Sequence, residues 1–131
     1  MNSAPVTVRQ VVTKKDKKAF VDFAWEVYKD DSAWIPPLKD EVHGLITPGK
    51  NPWFEHARAQ LWLAERGSKP VGRISAQVDD LVQQHMGQGT GQWGMFEALD
   101  GEAAATLIKT AEEWLRGQGM TRALGPISLS I

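Results

Sequence analysis

The chain has 131 residues, 42% of them hydrophobic and 24% charged, which describes one globular domain with room for a buried core. Lys plus Arg number 15 and Asp plus Glu 16, so a net charge of −1 gives no broad field to gather nucleic acid or an anionic membrane. With no Cys, no membrane-length apolar run and no signal-peptide core in "MNSAPVTVRQ", the sequence excludes disulfides and thiolate chemistry and reads as a soluble cytoplasmic protein.

The first periodic segment, "VTVRQVV" (Val6 to Val12), alternates like an edge or half-buried strand. Thr13 then opens a helix, with Asp16 in the capping-box position where Glu or Gln is usual. Phe20, Phe23, Ala24, Val27 and Tyr28 follow at helical spacing and predict one apolar face. The run "KKDKK" (Lys14 to Lys18) on the first turn suits a solvated face, or a few phosphate contacts. Pro36 and Pro37 separate this helix from the next, with Pro37 suited to its first position. Leu38, Val42, Leu45 and Ile46 predict the second apolar face. "TPGKNP" is a loop, and Trp53 and Phe54 either anchor it to the core or line a pocket.

"AQLWLAE" (Ala59 to Glu65), "RGSKP" and "VGRISAQVD" (Val71 to Asp79) predict a hairpin. In its second strand Ile74, Ala76 and Val78 share one face and Arg73, Ser75 and Gln77 the other. Leu81 to Gln92 reads as a glycine-dotted connector; Gly87, Gly89 and Gly91 are too closely spaced for a dinucleotide loop. Gln92 to Leu99 is a strand, Asp100 an N-cap, and Ala104, Leu107, Ile108, Ala111, Trp114 and Leu115 the buried face of a long helix. Gly117 and Gly119 close that helix, and Arg122 to Ile131 reads as a last strand.

The order is strand, helix, helix, strand, strand, strand, helix, strand. With "AQLWLAERGSKPVGRISAQVDD" and "WGMFEALDGEAAATLIKTAEEWLRGQGMTRALGP" in these places, the chain resembles the first two thirds of the GNAT superfamily of acyl-CoA-dependent N-acetyltransferases. More narrowly, "FEALDGEAAATLIKTAEEWLRGQG" followed by "GP" resembles a bacterial group of GNAT-like proteins. The resemblance implies an α+β fold: a mixed, mostly antiparallel central sheet with helices on both faces and the Trp93 strand near its middle. It implies a single domain over residues 1–131, without the helix and final strands that usually follow in the family. It also implies acetyl-CoA as acyl donor, a small-molecule amine as acceptor, and a cofactor junction at Phe96, Ala98, Gly101, Glu102 and Ala103.

That junction departs from the family. "LDGEAA" stands where spaced glycines and a Gln or Arg would grip a pyrophosphate, so Asp100 and Glu102 set two carboxylates against the anion. Two readings follow: an N-acyltransferase, or a GNAT-derived binding or assembly module without the cofactor loop. Glu97 lies on the strand where some family members place a general base, and otherwise reads as an exposed strand carboxylate. His43, His56 and His85 show no metal-ligand spacing, and Ser128 and Ser130 have no partner His in sequence. The alternating Ile127, Leu129 and Ile131 predict an uncovered apolar strand edge and, through it, a homodimer.

Overall fold

The computed structural model describes residues 4–127 and Leu129. Five strands form one sheet in the order β1 (Val6–Gln10), β2 (Ala57–Arg66), β3 (Lys69–Asp79), β4 (Thr90–Ala98) and β5 (Arg122–Leu124). The first four are antiparallel neighbours, and β5 runs parallel to β4. The helices are α1 (Lys14–Tyr28), α2 (Lys39–Leu45), α3 (Asp80–Met86) and α4 (Gly101–Gly117), with a 3-10 turn at Pro52–Glu55. This is the α+β architecture that the element order predicts. β3 is the middle strand, and the Trp93 strand, β4, lies next to it, flanked on its other side by the three residues of β5.

Strand alternation divides the core in two. Trp62 and Ala64 of β2 and Ile74, Ala76 and Val78 of β3 pack on Ala103, Leu107, Ala111 and Leu115 of α4. The seam of α4 runs through Ala103 and not Ala104, since i, i+4 spacing puts Ala103 in line with Leu107. Gly72 lies beneath it: a Cβ there would stand 2.6 Å from Leu107 Cδ1. On the opposite face Leu61 and Leu63 meet Phe20 and Val21 of α1.

Thr13 and Asp16 close the expected capping box, Thr13 Oγ1 accepting from the Asp16 N–H at 3.0 Å and Asp16 Oδ2 from the Thr13 N–H at 3.1 Å. The Arg9 guanidinium, helped by those backbone donors, holds the Asp16 carboxyl well below the usual carboxylate range. The second helix starts later than its sequence suggests. Leu38 is its N-cap, so Pro37 lies outside it. Leu38 is 68% exposed, and of the expected face only Ile46 is buried. Trp53 does anchor its loop: it is buried and donates from Nε1 to Asp79 Oδ2 at 2.9 Å.

Where a connector is expected, α3 forms. Asp79 caps it by accepting from the Leu81 N–H at 2.9 Å, and Gly87, at φ 109°, ends it. None of its seven residues is buried, so no apolar period announces it. The last strand is also shorter than expected. After Leu124 the chain crosses Trp93 so closely that a Cβ on Gly125 would stand 2.4 Å from Trp93 Cε2. Ile127 donates its N–H to Trp93 O at 2.8 Å and accepts from Gln77 Nε2 at 2.7 Å. Leu129 is 4% exposed, in a cleft with Val11, Ile46 and Leu61. The expected row of uncovered apolar side chains is therefore broken at Leu129, while Ser128, Ser130 and Ile131 lie outside the described residues. Among the described residues no helix is long and apolar enough to cross a membrane.

Candidate functional site

On the α1 face the central strand is polar. Arg73, Ser75, Gln77 and Asp79 stand in one row, all buried. Burial of polar groups requires partners. Ser75 Oγ donates to Gln77 Oε1 at 3.0 Å, and Gln77 reaches the Ile127 carbonyl. Asp79 takes Trp53, the cap of α3, and His56 Nδ1 at 2.9 Å. His56 is thus part of a loop anchor; His43 lies on α2, and His85 is exposed on the last turn of α3.

Arg73 is the charged member of the row, 8% exposed. Its Nη1 donates to the Phe20 carbonyl at 2.9 Å, and its guanidinium sits 5.0 Å from the Phe20 ring centroid. Its Nε–H has no hydrogen-bond partner among the described residues. Burial pushes this guanidinium below its ordinary value, and the charge of Glu97 opposes that shift. Glu97 is the β4 residue paired with Arg73 across the ladder. It is half-buried rather than exposed, and both its oxygens accept from the Tyr28 hydroxyl at 2.9 Å. That hydrogen bond, and then burial, push the Tyr28 phenol above its ordinary value. Tyr28 is the last residue of α1. Trp34 stacks on it with ring centroids 5.1 Å apart, and Trp25 meets Trp34 edge-on at 5.4 Å.

A bulge sets this geometry. The β3–β4 register slips between Arg73 and Ser75, and Met95 takes φ 46°. Trp93 and Phe96 thereby face the α4 side together, their rings 5.8 Å apart, while Glu97 faces α1. Leu99 donates its N–H to Val71 O, so Glu97 bonds toward β3, and the backbone groups of Phe96 and Ala98 point away from it. On that side β5 pairs only with Thr90 to Gln92. Beyond Trp93 no described strand pairs with this edge of β4, so it is left open at Phe96 and Ala98.

At the start of α4, Asp100 Oδ1 accepts the Ala103 N–H at 2.8 Å, which holds the Asp100 carboxyl below its usual range. Ala103 therefore has its side chain in the core and its amide already bound. The two carboxylates, unopposed as they read in the sequence, are partly compensated in the fold. Arg66 forks onto Asp100 at 3.1 and 3.2 Å and reaches Glu102 at 3.5 Å. Gly101 is exposed with open space around it. Of the residues predicted for a site, Phe96, Glu97 and Ala98 follow one another on β4 and Gly101 begins α4, whereas Glu102 pairs with Arg66 and Ala103 is bound by Asp100.

Sequence reasoning missed Tyr28, Arg73 and Arg66. Tyr28 was hidden by its place in an apolar helical face. The polar alternation of β3 was the available signal for Arg73.

The fold is that of the GNAT acetyltransferases. A protein described as a predicted acetyltransferase, from Clostridium acetobutylicum and crystallised with acetyl-CoA, superposes with a TM-score of 0.68 at 11% identity, over 94% of this chain and 81% of that one. In sequence, the chain is 42% identical to Protein YghO of Escherichia coli K12 over 95% of its own length and 32% of the relative's. It is 43% identical to a protein of Caulobacter vibrioides named bacterial ceramide synthase, over 98% of its own length and 34% of the relative's. The chain thus spans about a third of the length of these curated relatives. No family model matches it.

Proposed function

We propose that this chain forms the acyl-donor side of an N-acyltransferase of the GNAT type, with an acyl-CoA bound along the open edge of β4. The observation that carries the reading is the open edge of β4 at Phe96 and Ala98, whose backbone groups face away from β3 and toward no described strand. An extended arm bearing amides suits such an edge, because it completes the missing ladder. Acyl-CoA supplies an activated acyl group as a thioester. The N–H groups of Phe96 and Ala98 are the donors available to a carbonyl oxygen laid along this edge. The start of α4 contributes less, since Asp100 occupies the Ala103 amide and Arg66 is shared between two carboxylates. Binding through the nucleotide end is accordingly weak.

Glu97 is the residue we assign to proton removal. Its carboxylate has one shared donor in Tyr28 and retains lone pairs for the proton of an acceptor nitrogen. Beside Tyr28 and Trp34 the chain exposes Ile35 (88%), Pro36, Pro37 and Leu38. This surface suits an amine carrying an apolar chain, and a ceramide is the amide of such an amine, which accords with the name of the Caulobacter relative.

The test is a titration of the isotopically labelled chain with acetyl-CoA, followed by amide NMR. The reading expects the Phe96 and Ala98 amides to move most, with Gly101 moving less. Amides that stay in place in a folded chain would favour the second reading, a GNAT-derived binding or assembly module, for which the Asp100 cap on Ala103 speaks.

A further inference from the structure

We infer that Tyr28 is a positioning residue for the proposed reaction, its hydroxyl clamping both oxygens of Glu97 so that the carboxylate is held in place beside the open edge of β4. The inference rests on the acyltransferase reading above, which assigns a role to Glu97 and none to Tyr28.

Three observations carry it. The hydroxyl lies 2.9 Å from each Glu97 oxygen, although 69 residues separate the two in sequence. A single donor shared between two oxygens restrains the position of the carboxylate and leaves most of its lone pairs open. The phenol cannot swing away freely, because Trp34 stacks on its ring and Trp25 closes on Trp34. Lys39 caps the assembly, its Nζ 4.9 Å from the Trp25 ring centroid. Finally, Arg73 is the ladder partner of Glu97 and stands as fixed positive charge next to it, its own hydrogen bond given to Phe20. The groups facing Tyr28 are then Glu97 from β4, Arg73 from β3 and Asp31 from the segment after α1. An orienting partner of this kind acts through geometry: a misplaced base loses much of its rate while substrate binding is little changed.

Tyr28 is the single tyrosine of the chain, so its ionisation can be followed by phenolate absorbance without interference. Two measurements on the full chain test the inference. The first is the phenol titration of the wild type and of Glu97→Gln. The clamp predicts that Glu97→Gln brings the titration back toward that of free tyrosine; an unchanged titration overturns it, whatever the reaction is. The second is acetyl transfer from acetyl-CoA to n-octylamine as a function of pH, by wild type and Tyr28→Phe. The ring of Phe keeps the Trp34 stack, so the fold is retained. We expect kcat to fall about ten- to hundredfold, KM for octylamine to change little, and the acid limb of the profile to move. Wild-type kcat and pH profile in Tyr28→Phe overturn the role. A wild type with no transfer activity defeats the acyltransferase reading and the catalytic use of Tyr28 with it, while the phenol titration still reports whether the clamp exists.

Discussion

The two faces of the sheet are built to different rules. Against α4, every side chain in the seam is apolar and small ones alternate with large: Ala64 beside Trp62, Ala76 beside Ile74, Ala103 beside Leu107. Against α1 the same central strand turns Arg73, Ser75, Gln77 and Asp79 inward, and β4 adds Glu97. A polar row of this kind stabilises a fold less per residue than hydrocarbon does, because each group must first be desolvated. The α4 seam therefore contributes more stability per residue than the polar row that faces α1.

That division can be broken first at Leu107, which is fully buried. Leu107→Ala should cost about 2–5 kcal/mol in urea unfolding, whereas Arg73→Met should change stability by less than about 1.5 kcal/mol, since the lost Phe20 bond is offset by the charge no longer desolvated. Equal losses at the two positions would mean that the faces are energetically alike. Next comes the contact of Gly72 with Leu107. Gly72→Ala should cost about 1–3 kcal/mol by overpacking. Combined with Leu107→Ala it should cost less than the sum by at least ~0.5 kcal/mol, because the added methyl enters the vacated space. Strict additivity would place the crowding elsewhere.

The contrast also explains what could be read from the sequence. The α4 face was legible: its spacing and the Asp100 cap placed α4, with only Ala103 substituted for Ala104 in the seam. The α1 face was half legible. The alternation of Arg73, Ser75 and Gln77 marked a polar face, but nothing local shows that a helix and the segment around Ile127 bury it. Glu97 read as an exposed carboxylate because its partner, Tyr28, lies 69 residues away. Arg66 likewise meets Asp100 and Glu102 only through the fold, which offsets part of the negative charge that the sequence shows at this junction. Short elements with no buried side, such as α3, leave no period to detect.

Two smaller effects sharpen the comparison at the site. Asp100→Asn with Glu102→Gln keeps a capping side chain and frees Arg66. Acetyl-CoA affinity by calorimetry should then rise about three- to tenfold; no gain would show that the charge at this junction does not limit binding. The smallest effect is a pH dependence. The phenol of Tyr28 is raised in the folded state, so the folded chain binds its proton more tightly than the unfolded one. That contribution is fully present below the ordinary tyrosine value of about 10 and is lost as pH rises through the folded value. Glu97→Gln should flatten this alkaline fall in stability, and an equal fall in both proteins would count against the pair.

The central claim is that the open edge of β4, and not the start of α4, holds the acyl donor. Calorimetry of the chain with S-acetylpantetheine and with acetyl-CoA tests it directly, because the two share the thioester arm and differ in the nucleotide end. The account predicts that both bind and that their dissociation constants agree within about tenfold. Tight acetyl-CoA binding without detectable binding of S-acetylpantetheine, or no binding of either, would contradict it.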